Sequence, residues 1–244
     1  MDTTVILTSC GRHDLLERTL RSFRQFNTYN GIARFLVVED GQGNPQEICK
    51  RYGAELFRIG YRIGQIQAID LAYAEVQTPY MFHLEDDWEF YRSGFIERSK
   101  AILDVDPSTL LVWLRAWNDT NTHPLSFRSE SNDFGVLAQG HEEVWHGFTF
   151  NPALRRLADY KRLGSFSSHK WEAGPWVGAG AHEVAASQFY HQLGYRAVIL
   201  DCEGYVRHIG WERHMGDEDE SGPPILHTID PVVIILKMAR PVST

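Results

Sequence analysis

Short runs of apolar and β-branched residues alternate with amphipathic segments through the first half of the chain. Strands are predicted at residues 4–9, 34–40, 54–60 and 80–84. Helices are predicted between Leu15 and Phe26, after Pro45, and at residues 65–76, where apolar residues recur at helical spacing. This β-α-β-α-β-α-β order is typical of an α/β fold in which a mainly parallel central sheet is flanked by helices.

The second half of the chain has a less regular pattern. Its predicted elements are a helix at 93–103, a strand at 110–119, a long loop with short strands at 119–145, a helix at 182–193, and strands at 195–200 and 203–210. Within 147–156 a strand and a turn precede a helix that begins after Asn151, because Pro152 suits the first position of a helix. Internal repeats and low-complexity linkers are not found, so we expect one continuous domain over 1–244.

The bulk composition excludes several classes of protein. The 244 residues carry a formal net charge of -8 without a Lys/Arg cluster to offset it, so no nucleic-acid partner is expected. Cys10, Cys49 and Cys202 are scattered, which argues against a disulfide framework. The chain enters a strand without a leader pattern, and the apolar stretch 231–240 is too short to span a bilayer. We therefore predict a cytoplasmic protein, with peripheral membrane contact by this tail as an alternative.

Acidic residues follow the fourth predicted strand, in the stretch "HLEDDWEF". Glu85, Asp86 and Asp87 stand where the strand ends, and the ends of the first two strands carry Thr8-Ser9 and Glu39-Asp40. Ligands of such sheets bind beyond the carboxyl ends of the strands, so we expect these residues to meet at one rim. Adjacent carboxylates repel one another, whereas a divalent cation prefers oxygen ligands. A solvated turn is the alternative, but the pattern favours a bound cation that balances the charge.

Several motifs carry a resemblance to a known family when they are taken in order. "VILTSCGRHDLLERTLRSF", "FLVVEDG" and the spacing of Gly64, Ala68 and Asp70 resemble the opening of family 2 glycosyltransferases with the GT-A fold. "YMFHLEDDWEF" stands in place of their Asp-x-Asp metal motif. Its Glu-Asp-Asp form, with the following "DPSTLLVWLRAWND", is similar to N-acetylglucosaminyltransferase I. The resemblance covers about residues 4–119 well and 147–210 loosely.

The resemblance implies a GT-A fold and a metal-dependent inverting glycosyltransferase of the hexosyltransferase type. The donor would be a UDP- or GDP-linked sugar, the cofactor Mn²⁺ or Mg²⁺, and the acceptor a hydroxyl of a glycan or small molecule. Residues 1–119 would bind the nucleotide sugar and residues 120–215 the acceptor, with 216–244 as a C-terminal tail.

The same resemblance suggests residues for the donor site. Those expected around the nucleotide sugar are Thr8, Ser9, Arg12, Glu39, Asp40, Arg62, Gln65, Asp70, Glu85 and Asp86. Asp70 departs from the usual Asn of the family. Asp40 could equally form the turn before Gly41, and Arg62 could be an ordinary surface arginine. Asp87 is the expected metal ligand, and His208 is a further one because it follows the last strand, with His214 as the alternative.

Two acids are candidates for the catalytic base. Glu183 begins the predicted helix 182–193, and its distance from Gly194 matches the family's base, although His182-Glu183 replaces the usual Glu-Asp. An acid at a helix N-terminus can also stabilise the helix without having any catalytic role. Glu172 is the competitor, since it lies in a loop rich in Trp and Gly. A base must be held on a rigid element, which favours Glu183.

Two other functions remain as alternatives. A sugar nucleotidyltransferase shares the architecture, but "TSCGRHD" is a poor version of the Gly-rich basic loop that such enzymes carry after the first strand. A non-catalytic glycan- or nucleotide-sugar-binding module is the other, because the Glu-Asp-Asp and His182-Glu183 pairs depart from the common pattern. Trp171 and Trp176 are candidates to stack on a sugar ring.

Overall fold

The strands of the described chain belong to one large and one small sheet. The computed structural model describes residues 1–213. The strands are β1 (Thr3–Ser9), β2 (Ile32–Glu39), β3 (Glu55–Arg58), β4 (Tyr80–Glu85), β5 (Trp88–Phe90), β6 (Thr109–Trp113), β7 (Leu125–Arg128), β8 (Phe134–Leu137), β9 (Ala153–Arg156), β10 (Arg196–Leu200) and β11 (Val206–His208). Within these residues the large sheet has nine strands in the order β3-β2-β1-β4-β9-β6-β10-β8-β7, and β5 pairs with β11.

Helices cover both faces of the large sheet. They are α1 (His13–Phe26), α2 (Gln46–Arg51), α3 (Gln65–Ala74), α4 (Phe95–Val105), α5 (Leu157–Leu163) and α6 (Gly178–Gln192), with short 3-10 helices at Phe166–Ser168 and Trp211–Arg213. Successive residues of a strand point to opposite faces, so β1 contributes to two cores. Ile6 packs in the core that contains α3 and α6 residues, while Val5 and Leu7 pack in the core that contains α1 and α4 residues. The predicted α/β fold with a mainly parallel sheet is confirmed.

The register of the parallel strands brings the polar strand ends together. Ser9 of β1 is paired with Glu39 of β2, and Thr8 is paired with Glu85 of β4. The prediction that these ends meet at one rim is therefore confirmed. The acids follow a strand in the interior of the sheet, because β4 lies between β1 and β9.

The helix predicted after Asn151 is wrong. Residues Ala153–Arg156 form β9, which runs antiparallel between β4 and β6. Ala153, Leu154 and Arg155 are buried there. A strand at this position satisfies backbone groups of the neighbouring strands, and this gain outweighs the modest preference of Pro152 for a helix start. The helix begins only at Leu157.

Other boundaries differ less. The strand predicted at 110–119 ends at Trp113, and the loop that follows contains the predicted short strands, β7 and β8. The three cysteines are free thiols, as expected. No helix within residues 1–213 is both long and apolar enough to cross a membrane. His214, the acidic run that follows it and the apolar tail lie outside the described residues.

Candidate active site

A cleft of about 990 Å³ opens at the carboxyl ends of the parallel strands. One wall comes from the ends of β1, β2 and β4 and from the start of α3, and the other from residues 167–182. The predicted site residues that line it are Thr8, Ser9, Arg12, Asp40, Arg62, Gln65, Glu85, Asp86, Asp87, Glu172 and His208. The structure therefore gathers most of the predicted donor site around one space.

Arg12 lies between the acids that follow β4. Its Nη1 donates to Asp87 Oδ2 at 2.8 Å, and its Nη2 pairs with Asp86. The side chain of Arg12 is 15% exposed, and those of Asp86 and Asp87 are 1% and 7% exposed. An arginine of the chain thus already compensates two of the acids for which the sequence pattern favours a bound cation.

His208 reaches the same carboxylate from the end of the chain's last described strand. β11 pairs with β5 so that His208 stands opposite Trp88, and His208 Nε2 lies 3.2 Å from Asp87 Oδ2. The backbone at Gly210 also lies close to Asp87, since a Cβ added at Gly210 would overlap the Asp87 carboxylate. The predicted pair of metal-ligating residues is thus adjacent, although no group of three or more His, Cys, Asp and Glu in residues 1–213 has the arrangement of a metal site.

The pKa values of the three acids are shifted to different extents and in different directions. Burial and the nearby charge of Asp87 raise the pKa of Glu85 to about 8. Burial raises the pKa of Asp86 to about 6, against the effect of Arg12. Burial also favours neutral Asp87, but the hydrogen bonds from His208 and Arg12 outweigh it and lower the pKa of Asp87. Asp87 is therefore the acid best held as an anion.

Asp40 shapes the wall of the cleft beside the acids. It accepts hydrogen bonds from the backbone N–H groups of Ile63, at 2.6 Å, and Gly64, at 2.9 Å. Gly64 has a φ of 96°, a conformation that favours glycine, and α3 begins directly after it. Asp40 thereby fixes the loop that carries Arg62 and the start of the helix that carries Gln65. Gln65 in turn donates to Glu85.

Glu39 and Asp70 do not line the cleft, which corrects the expectation that they face the donor. Glu39 is fully buried and accepts a hydrogen bond from Gly11 N at 2.7 Å, which holds the β1–α1 turn. Asp70 accepts from Phe166 N at 2.8 Å and Ser167 N at 2.9 Å. Both acids position backbone that forms the walls.

Glu183 lies in the second turn of α6, because the helix begins at Gly178 and not at residue 182 as predicted. Its Oε1 accepts hydrogen bonds from Thr149 Oγ1 at 2.9 Å and Phe150 N at 2.6 Å. Oε2 accepts none from the described residues and is not among their buried, unpartnered atoms. Burial raises the pKa of Glu183. Its charge also contributes to the raised pKa of Glu85 across the site.

The two candidate bases differ in how they are held. Glu183 is fixed on a helix but is not itself among the residues that line the cleft, whereas Glu172 lines it from an exposed loop. His182, beside Glu183, does line the cleft. Its Nδ1 lies 2.6 Å from His169 O and 3.1 Å from Phe166 O, so Nδ1 carries a proton that it donates to these carbonyl oxygens. In the sequence, His182 stands out only because the pair His182-Glu183 replaces the usual Glu-Asp of the family. Its place next to Glu183 is the signal that could have marked it as a residue of the site.

Comparison with known proteins identifies the fold. No protein-family model matches the chain, and no curated protein matches it. Among solved structures, the mannosyltransferase PcManGT from Pyrobaculum calidifontis, in complex with GDP-Man and Mn²⁺, aligns over 80% of this chain and 53% of its own, with a TM-score of 0.58 and 17% identity. The chain has the GT-A fold.

Two structures of S. aureus TarS 1–349 have the same architecture. The complex with UDP-GlcNAc aligns over 91% of this chain and 62% of its own, with a TM-score of 0.64 and 11% identity. The complex with UDP aligns over 84% and 60%, with a TM-score of 0.58 and 13% identity. This chain spans less than two thirds of the length of each of these structures.

Proposed function

We propose that the protein is a glycosyltransferase that transfers a sugar from a nucleotide-diphosphate donor to an acceptor hydroxyl. The observation that carries this proposal is the cleft itself, where ionised Asp87, its partner His208 and the polar ends of β1 and β2 surround one space. The GT-A fold adds support, since the similar structures are named as complexes with GDP-Man, UDP-GlcNAc and UDP.

Asp87 and His208 are the residues that would hold a divalent cation, Mn²⁺ or Mg²⁺. A carboxylate oxygen and an imidazole nitrogen 3.2 Å apart can share one ion. Such ions commonly take only one or two protein ligands and complete their shell with phosphate and water, which fits the two groups found here. When bound, the cation would neutralise charge on the diphosphate leaving group.

Glu183 is our candidate for the group that takes the proton from the acceptor hydroxyl. Its Oε1 is fixed by two donors, so Oε2 is left to accept a proton. Burial raises the pKa of Glu183, which makes it a better base than an exposed glutamate. Attack by the acceptor oxygen on the face opposite the leaving group would invert the anomeric centre. Trp171 and Trp176 line the wall of the cleft that also contains His182, the neighbour of Glu183, and would contact the acceptor.

One observation favours a second candidate, a nucleotide-sugar-binding module without catalysis. Arg12 already pairs with Asp86 and Asp87, so these acids are stable without a metal ion. The sugar nucleotidyltransferase has no comparable support.

The experiment that tests the proposal incubates the protein with UDP- and GDP-sugars and Mn²⁺, with and without a panel of acceptors, and follows nucleotide release. Acceptor-stimulated release is expected. Formation of a nucleoside triphosphate from pyrophosphate would identify a nucleotidyltransferase, and saturable binding without turnover would identify the module. Absence of binding to any nucleotide sugar would overturn the donor assignment.

A further inference from the structure

Arg155 is a buried arginine in the middle of the sheet. It is 5% exposed and lies on β9, between β4 and β6. Ala153 packs in the core that contains α3 and α6 residues, whereas Leu154 packs in the opposite core. The alternation of strand residues therefore points Arg155 towards α6.

Within residues 1–213 the buried guanidinium has hydrogen bonds but no ion pair. Nη1 donates to Tyr73 OH and Nη2 donates to Thr149 O. Among the described residues no carboxylate lies within the 4.0 Å of an ion pair. Its carbon Cζ lies 5.1 Å from the ring centre of Phe148, a contact worth much less than the cost of burying a charge. Another electrostatic interaction must therefore offset the cost of burying this charge.

The turn at Thr149 and Phe150 connects this arginine to Glu183. Arg155 binds the carbonyl oxygen of Thr149, while the hydroxyl of Thr149 and the N–H of Phe150 both donate to Glu183 Oε1. Arg155 and Glu183 thus hold the same turn from opposite sides. Loss of the arginine would release the carbonyl and loosen both donors that orient the carboxylate.

The charges that face Glu183 come from several elements. Arg155 from β9 and Arg115 from the segment after β6 favour its anionic form, and Glu85 at the end of β4 opposes it. Burial raises the pKa of Glu183, and the hydrogen bonds from Phe150 and Thr149 and the charge of Arg155 act in the opposite direction. Arg115 is already bound by Asp119, which leaves Arg155 as the cation without a carboxylate of its own.

We propose that Arg155 is a positioning residue for the transfer reaction. It orients Glu183 through the Thr149–Phe150 turn and supplies the positive charge that keeps the carboxylate able to take a proton. Arg155 is not among the residues that line the cleft. This inference rests on the proposed function for its catalytic meaning, but its electrostatic content concerns the protein alone.

The test compares Arg155→Met, which removes the charge and the donors, with Arg155→Lys, which keeps the charge. Tyr73→Phe is the control, because it removes one hydrogen bond of Arg155 and no charge. The protonation of Glu183 is followed directly by infrared or carboxyl-carbon NMR titration, with Glu183→Gln used to assign the signal. In Arg155→Met the titration midpoint should rise by about one pH unit. Arg155→Lys should recover most of this shift, and Tyr73→Phe should show little of it.

Activity provides the second measurement. In Arg155→Met the acidic limb of the kcat profile should move to higher pH by the same amount, with an unchanged KM for the donor. A fall in kcat without any move of the limb, or a Glu183 midpoint equal to that of the wild type, would overturn the proposal. The titration requires no turnover. A protein that transfers no sugar would refute the proposed function, while the titration would still show whether Arg155 controls the protonation of Glu183. If Arg155→Met does not fold, Arg155→Gln takes its place, because it also removes the charge but keeps a side-chain donor for Thr149 O, and the same rise of the Glu183 midpoint is expected.

Discussion

Two acids of the site, Asp87 and Glu183, depend on arginines in different ways. Asp87 is bonded directly to Arg12 and has a lowered pKa, so it stays charged. Glu183 forms no ion pair with any of residues 1–213. Arg155 binds the turn whose donors orient Glu183, and the pKa of Glu183 is raised. Direct pairing suits an acid that must stay charged. Indirect support suits an acid that must gain and lose a proton.

The largest expected effect comes from Glu183→Gln, which removes the proposed base and retains the hydrogen-bond acceptor. We expect kcat to fall by about 10²- to 10⁴-fold while nucleotide-sugar binding is unchanged. Steady-state kinetics and calorimetric titration measure the two quantities. If Glu172→Gln gives the larger loss of kcat, the base is Glu172 and the comparison above concerns the wrong acid.

The pH dependence follows from the same residue. Because burial raises the pKa of Glu183 in the folded state, activity should be lost as pH falls through a value above the ordinary 4.5. The folded state prefers the neutral acid, so at neutral pH the charged form reduces stability. Chemical denaturation at pH 7 should therefore find Glu183→Gln at least as stable as the wild type. A less stable variant would contradict the direction of this shift.

The next effect is on stability. Arg12→Met leaves Asp86 and Asp87 without their shared cation, and we expect a loss of about 3 kcal/mol in the free energy of unfolding. Urea denaturation measures it. Millimolar Mn²⁺ should restore more stability to this variant than it adds to the wild type, because the ion can then bind acids that Arg12 occupies. An equal effect of Mn²⁺ on both proteins would show that ion and arginine do not share a site.

A smaller effect is expected for Asp87→Ala. Affinity for a nucleotide sugar in the presence of Mn²⁺ should fall at least about tenfold, while binding without metal changes little. A thermal-shift titration measures both, because ligand binding raises the melting temperature. Glu89→Gln is the matched control, since Glu89 is two residues away but pairs with Arg18 and Arg207 outside the cleft. Equal losses in the two variants would remove the metal assignment from Asp87.

The smallest effect is expected for Gly210→Ala. The added methyl would overlap the carboxylate of Asp87, and we expect a stability loss of about 1 kcal/mol together with weaker Mn²⁺ binding. Gly180→Ala serves as the control, because Gly180 likewise has no positive φ and its added Cβ would make only an ordinary contact with Trp176. A Gly210→Ala protein with wild-type Mn²⁺ affinity would show that Asp87 does not depend on this contact.

The part of the site that we propose for the donor was predictable because it depends on regular structure. Thr8, Asp40 and Glu85 lie at the ends of strands that the apolar pattern identifies, and parallel strands align their ends. The pattern could not show that Arg12 would bond to Asp86 and Asp87. That pairing depends on the path of the β1–α1 turn, which a distant buried acid, Glu39, fixes.

The other side was less predictable because tertiary contacts override local preference there. Pro152 favoured a helix, but the neighbouring strands impose β9 and with it the position of Arg155. The Gly-rich start of α6 was assigned to a loop, but the helix begins at Gly178, where Ala179 packs against the core and Ala181 is fully buried. Because of these two errors, the contacts around Glu183 could not be predicted, although Glu183 itself could be named as a candidate base.

The pairing of β5 with β11 has a consequence for the order of assembly. Trp88 and His208 can pair only after most of the described chain has been synthesised. Until then Asp87 lacks its contact with His208, which lies far along the polypeptide. Contacts of such long sequence separation form slowly compared with local ones. A nascent chain halted before β11 would thus have begun its sheet but would lack His208 of the proposed ion site.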